Sequence, residues 1–246
     1  MRLALHAEWT KTRTVAGPRW LLLGTIAVTV AMSAAVTATC GAARCGGDAT
    51  KLSLTGAVFG QALVAILGVH VITDEYGSGM IRTTLAAIPN RTTALVAKAV
   101  TLTGCVTAAG TVAVLGSLLV GRLTLPGHGY AAMFLVLRAT VGSILYLALI
   151  ALFSLGIATI VRDAATSIGV VLGLLYLVPI LATVIGSPFW QRVLEQIAPM
   201  SAGLAIQATT DLHSLPISPW AGLGVTAAWA TAALTTAGLL LRRRDA

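Results

Sequence analysis

Charge is scarce in this chain. Of its 246 residues only 10% are charged and 5% aromatic, and there are three cysteines. A soluble domain carries about a quarter charged residues, so the shortage argues against an ordinary water-soluble fold. Three cysteines do not make a disulfide framework. Cys40 and Cys45 flank one loop and either pair across it or stay reduced, according to the compartment that loop faces. Cys105 falls inside an apolar run and reads as a small packing residue. Chemical motifs are missing too. None of the three lysines follows a glycine, so there is no G-x-x-x-x-G-K-[ST] phosphate loop and no nucleotide hydrolysis by that route. There is no H-E-x-x-H or G-x-S-x-G, and the four histidines have no metal-ligand spacing. The chain is therefore not expected to be an enzyme or to hold a metal or cofactor of its own. Acidic groups are absent from the middle of the apolar runs, where proton- or ion-coupled transport usually needs them.

What is present is hydrophobic length. Hydrophobic residues make up 57% of the chain, with a mean hydropathy of +0.91. Runs of about 20 apolar residues, enough to cross the hydrocarbon core, recur at roughly 19–40, 52–73, 93–120, 132–161, 165–186 and 219–241. The expected fold is an all-α membrane protein of six transmembrane helices in one domain, 1–246. The third and fourth runs exceed the minimum, which predicts tilt or a protruding end. With 25 glycines and few aromatics, the helices should pack closely through small residues. Gly169 and Gly173 form a G-x-x-x-G pair in the fifth run, expected to contact a neighbouring span or a second membrane subunit.

The net charge of +8 is better read as orientation than as affinity for nucleic acid, and no nucleic-acid partner is expected. Eleven of the 16 basic residues lie in the termini and the even-numbered loops. Both termini are therefore expected on the cytoplasmic side of the plasma membrane. The N-terminal segment is not a signal peptide, because its apolar run is too long. Leu5, Trp9 and Thr12 share a helical face, and Glu8, Lys11 and Arg13 are placed to meet water or headgroups. This predicts an interfacial helix, the alternative being a disordered basic tail.

The longest loop precedes the last span. There Trp190, Val193, Leu194 and Ile197 recur at helical spacing, with Arg192 and Glu195 on other faces. A second helical stretch is expected from Ser201 to Thr210. The whole is apolar enough to form an external re-entrant segment against the mouth of the bundle. Arg138 is expected to snorkel toward the external surface, and His70 to form a structural hydrogen bond with Asp74 at the membrane boundary, the alternative being a proton relay.

The stretch DEYGSGMIRTTLAAIPNR, residues 74–91, interrupts the apolar pattern. Met80, Ile81, Thr84, Leu85 and Ile88 form a narrow stripe on a short helix. Gly77 and Gly79 permit a sharp turn before it. Pro89 ends it, and Asn90 or Thr92 can cap the next span. Such a helix either rests on the membrane surface or fills a groove on a cytoplasmic partner.

The segment EYGSGMIRTTLAAIPNRTTALVAKAV resembles the cytoplasmic loop of type 2 ATP-binding-cassette (ABC-2) exporter permeases. The matching features are Glu75 closing the second span, the turn Gly77 to Gly79, Pro89, Arg91, and Lys98 just inside the third span. The opening AEWTKTRTVAGPRWLLL is similar to that family's N-terminal helix, with Glu8, Lys11 and an aromatic residue at the first span. QIAPMSAGLAIQ is similar to its Pro-centred external segment. The resemblance implies a permease that pairs with a second copy or a paralogue and docks on two copies of a cytoplasmic ABC ATPase, which would hold ATP and Mg. It implies an ATPase-coupling role for Glu75, Met80, Ile81, Arg82, Leu85 and Ile88. The implied activity is export of a hydrophobic or amphipathic cargo, such as a drug, an antimicrobial peptide or a lipid, and antibiotic efflux is one form of it. Membrane lipids are the remaining partner. The competing readings are an ion- or proton-coupled secondary carrier and a membrane anchor for a cytoplasmic factor.

Overall fold

The computed structural model describes residues 2–43, 47–80, 83, 91–125, 130–185 and 187–243. Among these, all regular structure is helical. Six helices are long and apolar enough to cross a membrane: Ala16–Cys40, Ala49–Gly77, Thr92–Thr124, Met133–Val161, Ala164–Val184 and Pro219–Arg243. Their positions match the six apolar runs to within a few residues, and the chain is a multi-pass membrane protein. The helix of the third span runs over 34 residues, from Arg91 to Thr124. At about 1.5 Å per residue it is roughly 50 Å long, well beyond a hydrocarbon core of about 30 Å. Its first turns lie against a separate N-terminal helix, Arg2–Thr14.

The second and fourth spans form the centre, with 61% of each apolar window buried against 22% for the first and fifth. Tyr146, Leu147, Ile150 and Phe153 of the fourth span are fully enclosed. Lipid tails are as apolar as leucine, so close packing rather than hydrophobic expulsion holds span to span. The tightest approach joins the first two spans. A Cβ on Gly56 would lie 1.9 Å from the Thr29 carbonyl oxygen, and one on Gly60 would lie 2.0 Å from Thr29 Oγ1. Gly56 and Gly60 are thus a G-x-x-x-G pair in close contact, one that the sequence analysis passed over. No atom outside the helix's own backbone comes within 4 Å of a Cβ built on Gly169, and one on Gly173 meets only Leu177 of its own span.

Two spans are interrupted. The second comprises a short helix, Ala49–Leu54, and a longer one, Ala57–Gly77. The fifth widens into a π turn at Gly173–Leu177, just before Pro179. Proline has no N–H to offer the carbonyl one turn back, and a widened turn accommodates that loss. Tyr176, within the π turn, donates to the Val58 carbonyl of the second span at 2.5 Å.

Between the fifth and sixth spans, Pro188–Ile197 is helical as its periodicity predicts, and none of its residues is buried. The stretch expected to stay helical from Ser201 to Thr210 ends earlier. A helix, Pro199–Leu204, and a 3-10 turn, Ala205–Gln207, give way to extended backbone at Ala208. The reason is tertiary. Gln207 Nε2 donates to Ser143 Oγ at 3.1 Å and to the Leu54 carbonyl at 3.4 Å. Arg138 donates to the Ala208 carbonyl and is 9% exposed, so it is pinned inside and does not snorkel as expected. Asp48 takes the amides of Thr209 and Thr210.

Candidate functional site

The last turn of the second span sends neighbouring side chains in opposite directions. Asp74, its side chain 60% exposed, meets His70 Nδ1 at 2.8 Å on the outer face, the pair expected from the sequence. Glu75 turns inward. Its Oε1 accepts from Lys98 Nζ of the third span at 2.5 Å and from Lys11 Nζ of the N-terminal helix at 2.6 Å. The same two lysines reach Glu8 Oε1, at 3.0 Å and 3.4 Å. Two carboxylates and two ammonium groups thus close a ring of alternating charge.

The ring corrects the expectation for the N-terminal helix. Glu8 is buried and faces the bundle, and Lys11, its side chain 33% exposed, turns its ammonium inward to the ring, while Trp9 is 47% exposed under Arg13 at 5.5 Å. The cause is Lys98. Its side chain is 2% exposed and that of Glu75 5%, and each buried ion loses several kcal/mol of solvation unless its partners are complete. Glu8 gives Lys98 a second carboxylate and Lys11 gives Glu75 a second ammonium, both on Oε1, while Glu75 Oε2 accepts no hydrogen bond from the described residues. Burial disfavours the charge on Lys11, but the Glu75 hydrogen bond and the Glu8 charge outweigh it and hold the Lys11 pKa above the ordinary lysine value. A cavity of about 20 Å³ beside the ring, bounded by Glu8, Thr12, Lys98 and Cys105, has room for about one water.

The next residue of the same turn, Tyr76, is also held. The Arg162 guanidinium lies 5.4 Å from the centre of the Tyr76 ring, a cation–π contact. Arg162 adopts a left-handed conformation, φ 64°, and ends the fourth span. Asp163 follows at once and caps the fifth through the Thr166 amide at 2.8 Å. One helical turn is therefore gripped by the N-terminal helix, the third span and the junction of the fourth and fifth. Gly79, just past the end of this helix, adopts a left-handed conformation, φ 70°.

Of the residues expected to couple to a partner, Glu75 lies in the ring and Met80 is 43% exposed just beyond it. Met80 and Thr83 are helical, with Thr83 Oγ1 donating to the Met80 carbonyl at 2.8 Å. Ile81, Arg82, Leu85 and Ile88 lie outside the described residues, as does Cys45. Gly169 and Gly173 take no part in the site. Among the described residues no group of three or more His, Cys, Asp or Glu could hold a metal ion. The site is a cluster of paired charges at the end of the second span.

A second polar joint lies at the far ends of the spans. Asp48 Oδ1 caps the second span through the Lys51 amide at 3.1 Å and accepts from Thr209 Oγ1 at 2.6 Å. Its Oδ2 accepts from the Thr209 amide and from that of Thr210 at 3.0 Å. Burial opposes the Asp48 charge, but the bonds from Thr209, Lys51 and Thr210 prevail and hold its pKa below the ordinary carboxylate value. Sequence reasoning missed this clamp. Asp48 before an apolar run signals a helix cap, but nothing local pairs it with Thr209.

No family model matches the chain, and no curated protein matches it.

Proposed function

We propose that this chain is the membrane-spanning permease subunit of an ABC-2-type exporter, driven by ATP hydrolysed on two copies of a separate cytoplasmic ATPase. The observation that carries the reading is the ring of Glu8, Lys11, Glu75 and Lys98 at the base of the 78–90 loop. A push on that loop meets a turn whose buried charges resist separation, so displacement passes into the N-terminal helix and the third span instead of being absorbed locally. Tyr76 and Arg162 carry it to the fourth and fifth spans. The chain has no phosphate loop, so the energy comes from a partner, where ATP and Mg bind. The loop stripe of Met80, Ile81, Leu85 and Ile88 fills a groove on that partner, with Arg82 at its rim.

In this reading both termini are cytoplasmic and the N-terminal helix lies in the membrane interface, its exposed Trp9 toward the headgroups. On the other side, Phe189, Trp190 and Ile197 are exposed on the helix before the sixth span, which suits an external segment dipping into the bilayer edge. The open face at Gly169 and Gly173 is where a second permease, identical or paralogous, packs. A sparsely charged bundle suits a hydrophobic or amphipathic cargo.

The test is co-purification of the chain with an ABC ATPase sought in a neighbouring reading frame, together with cargo-stimulated ATP turnover. Leu85→Ala or Ile88→Ala should weaken association more than Arg82→Ala, because rim charges contribute only about 0–1 kcal/mol. Glu75→Gln should leave the complex assembled while abolishing stimulation by cargo. Unchanged assembly and unchanged stimulation in all four variants would refute the proposal.

A further inference from the structure

At the end of the bundle opposite the termini, the third and fourth spans part and leave a half-open groove of about 320 Å³. Its walls follow from helical spacing. Leu115, Leu119 and Arg122 recur along one face of the third span, and Met133, Val136, Leu137 and Thr140 along one face of the fourth. Leu118, Val136 and Thr140 are buried and form the floor. Leu115, Leu119, Met133 and Leu137 are more than half exposed and form the sides. The one hydroxyl in the floor, on Thr140, donates to the Val136 carbonyl at 2.7 Å, so the floor has no free donor and the trough is almost wholly apolar. From Leu115 to Arg122 it runs about 10 Å along the span axis.

Arg122 stands at the outer rim, near the end of a span, where the membrane surface lies. Its guanidinium sits 5.5 Å from the centre of the Tyr130 ring. Stacking on an aromatic face orients the guanidinium and leaves its N–H edge open for a planar, bidentate acceptor. Among the described residues no carboxylate pairs with it. A cation with no carboxylate partner among the described residues, above an apolar trough about 10 Å long and open sideways to the bilayer, complements one kind of occupant.

We propose that this groove is a binding site for an anionic phospholipid, an acyl chain lying between the third and fourth spans and the phosphate accepting from Arg122. The proposal rests on the chain's spanning a membrane and is independent of the ATPase reading. Its ligand is a resident lipid held at the bundle's edge.

The test uses the full-length chain in nanodiscs holding equal amounts of phosphatidylglycerol and phosphatidylcholine, one of the two carrying a photoreactive group on its acyl chain. Cross-linked peptides are mapped by mass spectrometry. Phosphatidylglycerol should label the 115–140 region roughly fivefold more than phosphatidylcholine, the preference expected from one cationic side chain at a membrane surface. Exposed residues of the fifth span, such as Leu177 and Ile180, should show no preference. Arg122→Gln should bring the ratio in the groove to about one, and Leu119→Trp, which fills the trough, should reduce labelling by both lipids. Equal labelling in the unaltered protein overturns the proposal, as does a preference that survives Arg122→Gln. So does an unlabelled groove beside a labelled fifth span. A disulfide formed between two copies carrying Leu119→Cys would assign the groove to a second permease instead.

Discussion

Replacing Lys98 by methionine removes one charge from the ring while keeping a long, unbranched side chain. Glu8 and Glu75, with side chains 10% and 5% exposed, are then left with Lys11 as their only ammonium partner. Breaking a buried ion pair from one side costs about 3–5 kcal/mol, most of it the penalty of an uncompensated charge. Lys11 is a different case. Its side chain is 33% exposed, so solvent screens the vacancy, and Lys11→Met should cost about 1 kcal/mol. The double variant Glu75→Gln with Lys98→Met leaves Glu8 opposite Lys11 and restores neutrality. It should recover at least about 2 kcal/mol relative to the sum of its single changes, as expected for coupled neighbours. Thermal unfolding in a mild detergent, followed through the five tryptophans, reads the difference. At about 2–4 °C per kcal/mol for a chain of this size, Lys98→Met should lower the midpoint by about 6–20 °C. If Lys98→Met and Lys11→Met were equally mild, or the double variant lost the full sum, the ring would not be a closed, buried unit.

Gly222→Ala and Gly104→Ala should differ in sign. A Cβ on Gly222 would stand 2.0 Å from the Ala202 carbonyl oxygen, costing about 1–3 kcal/mol of overpacking, whereas Gly104, within the third span, has open space and gains up to about 1 kcal/mol in helix propensity; the same unfolding assay separates them. The Asp48 clamp has a defined pH window. Because the folded pKa lies below the ordinary value of 3.8, its stabilisation is fully present above that value and is lost as pH falls through the folded pKa. Hydrogen exchange at the Thr209 and Thr210 amides, corrected for intrinsic rate, should show constant protection from neutral pH to about pH 5 and loss in stronger acid, and Asp48→Asn should weaken it throughout. Protection that persists through the acid range would refute a charge-dependent clamp.

Several features were legible in the chain alone because they depend on neighbours in sequence. Hydropathy summed over about 20 residues located all six spans. The pair His70 and Asp74, four residues apart, followed from helical spacing, as did the helix at Pro188–Ile197. Gly79 marked the turn after the second span because a left-handed residue there favours glycine. Glu75 and Lys98 stood out as rare charges bordering apolar runs, and their resemblance to a permease loop singled them out before any contact was known.

Tertiary structure decided which groups meet. Periodicity set Glu8 and Lys11 on a polar face of the N-terminal helix but not whether water or Lys98 lay opposite. That choice belongs to the third span, whose buried ammonium needs carboxylates wherever the fold can bring them. Two G-x-x-x-G pairs have the same spacing, yet only Gly56 and Gly60 meet another span within the chain, because the spacing describes a groove and not its occupant. The helix expected to reach Thr210 stops at Gln207 because Arg138, Asp48 and Ser143, remote in sequence, bind its backbone and side chain. Sequence by itself determined the helices and the membrane, since burial in lipid and backbone hydrogen bonding act over local windows. Only the packed bundle decided the charge ring, the clamp and the groove, since a buried ion or an unpaired carbonyl is satisfied by whatever the fold brings within about 3 Å of it.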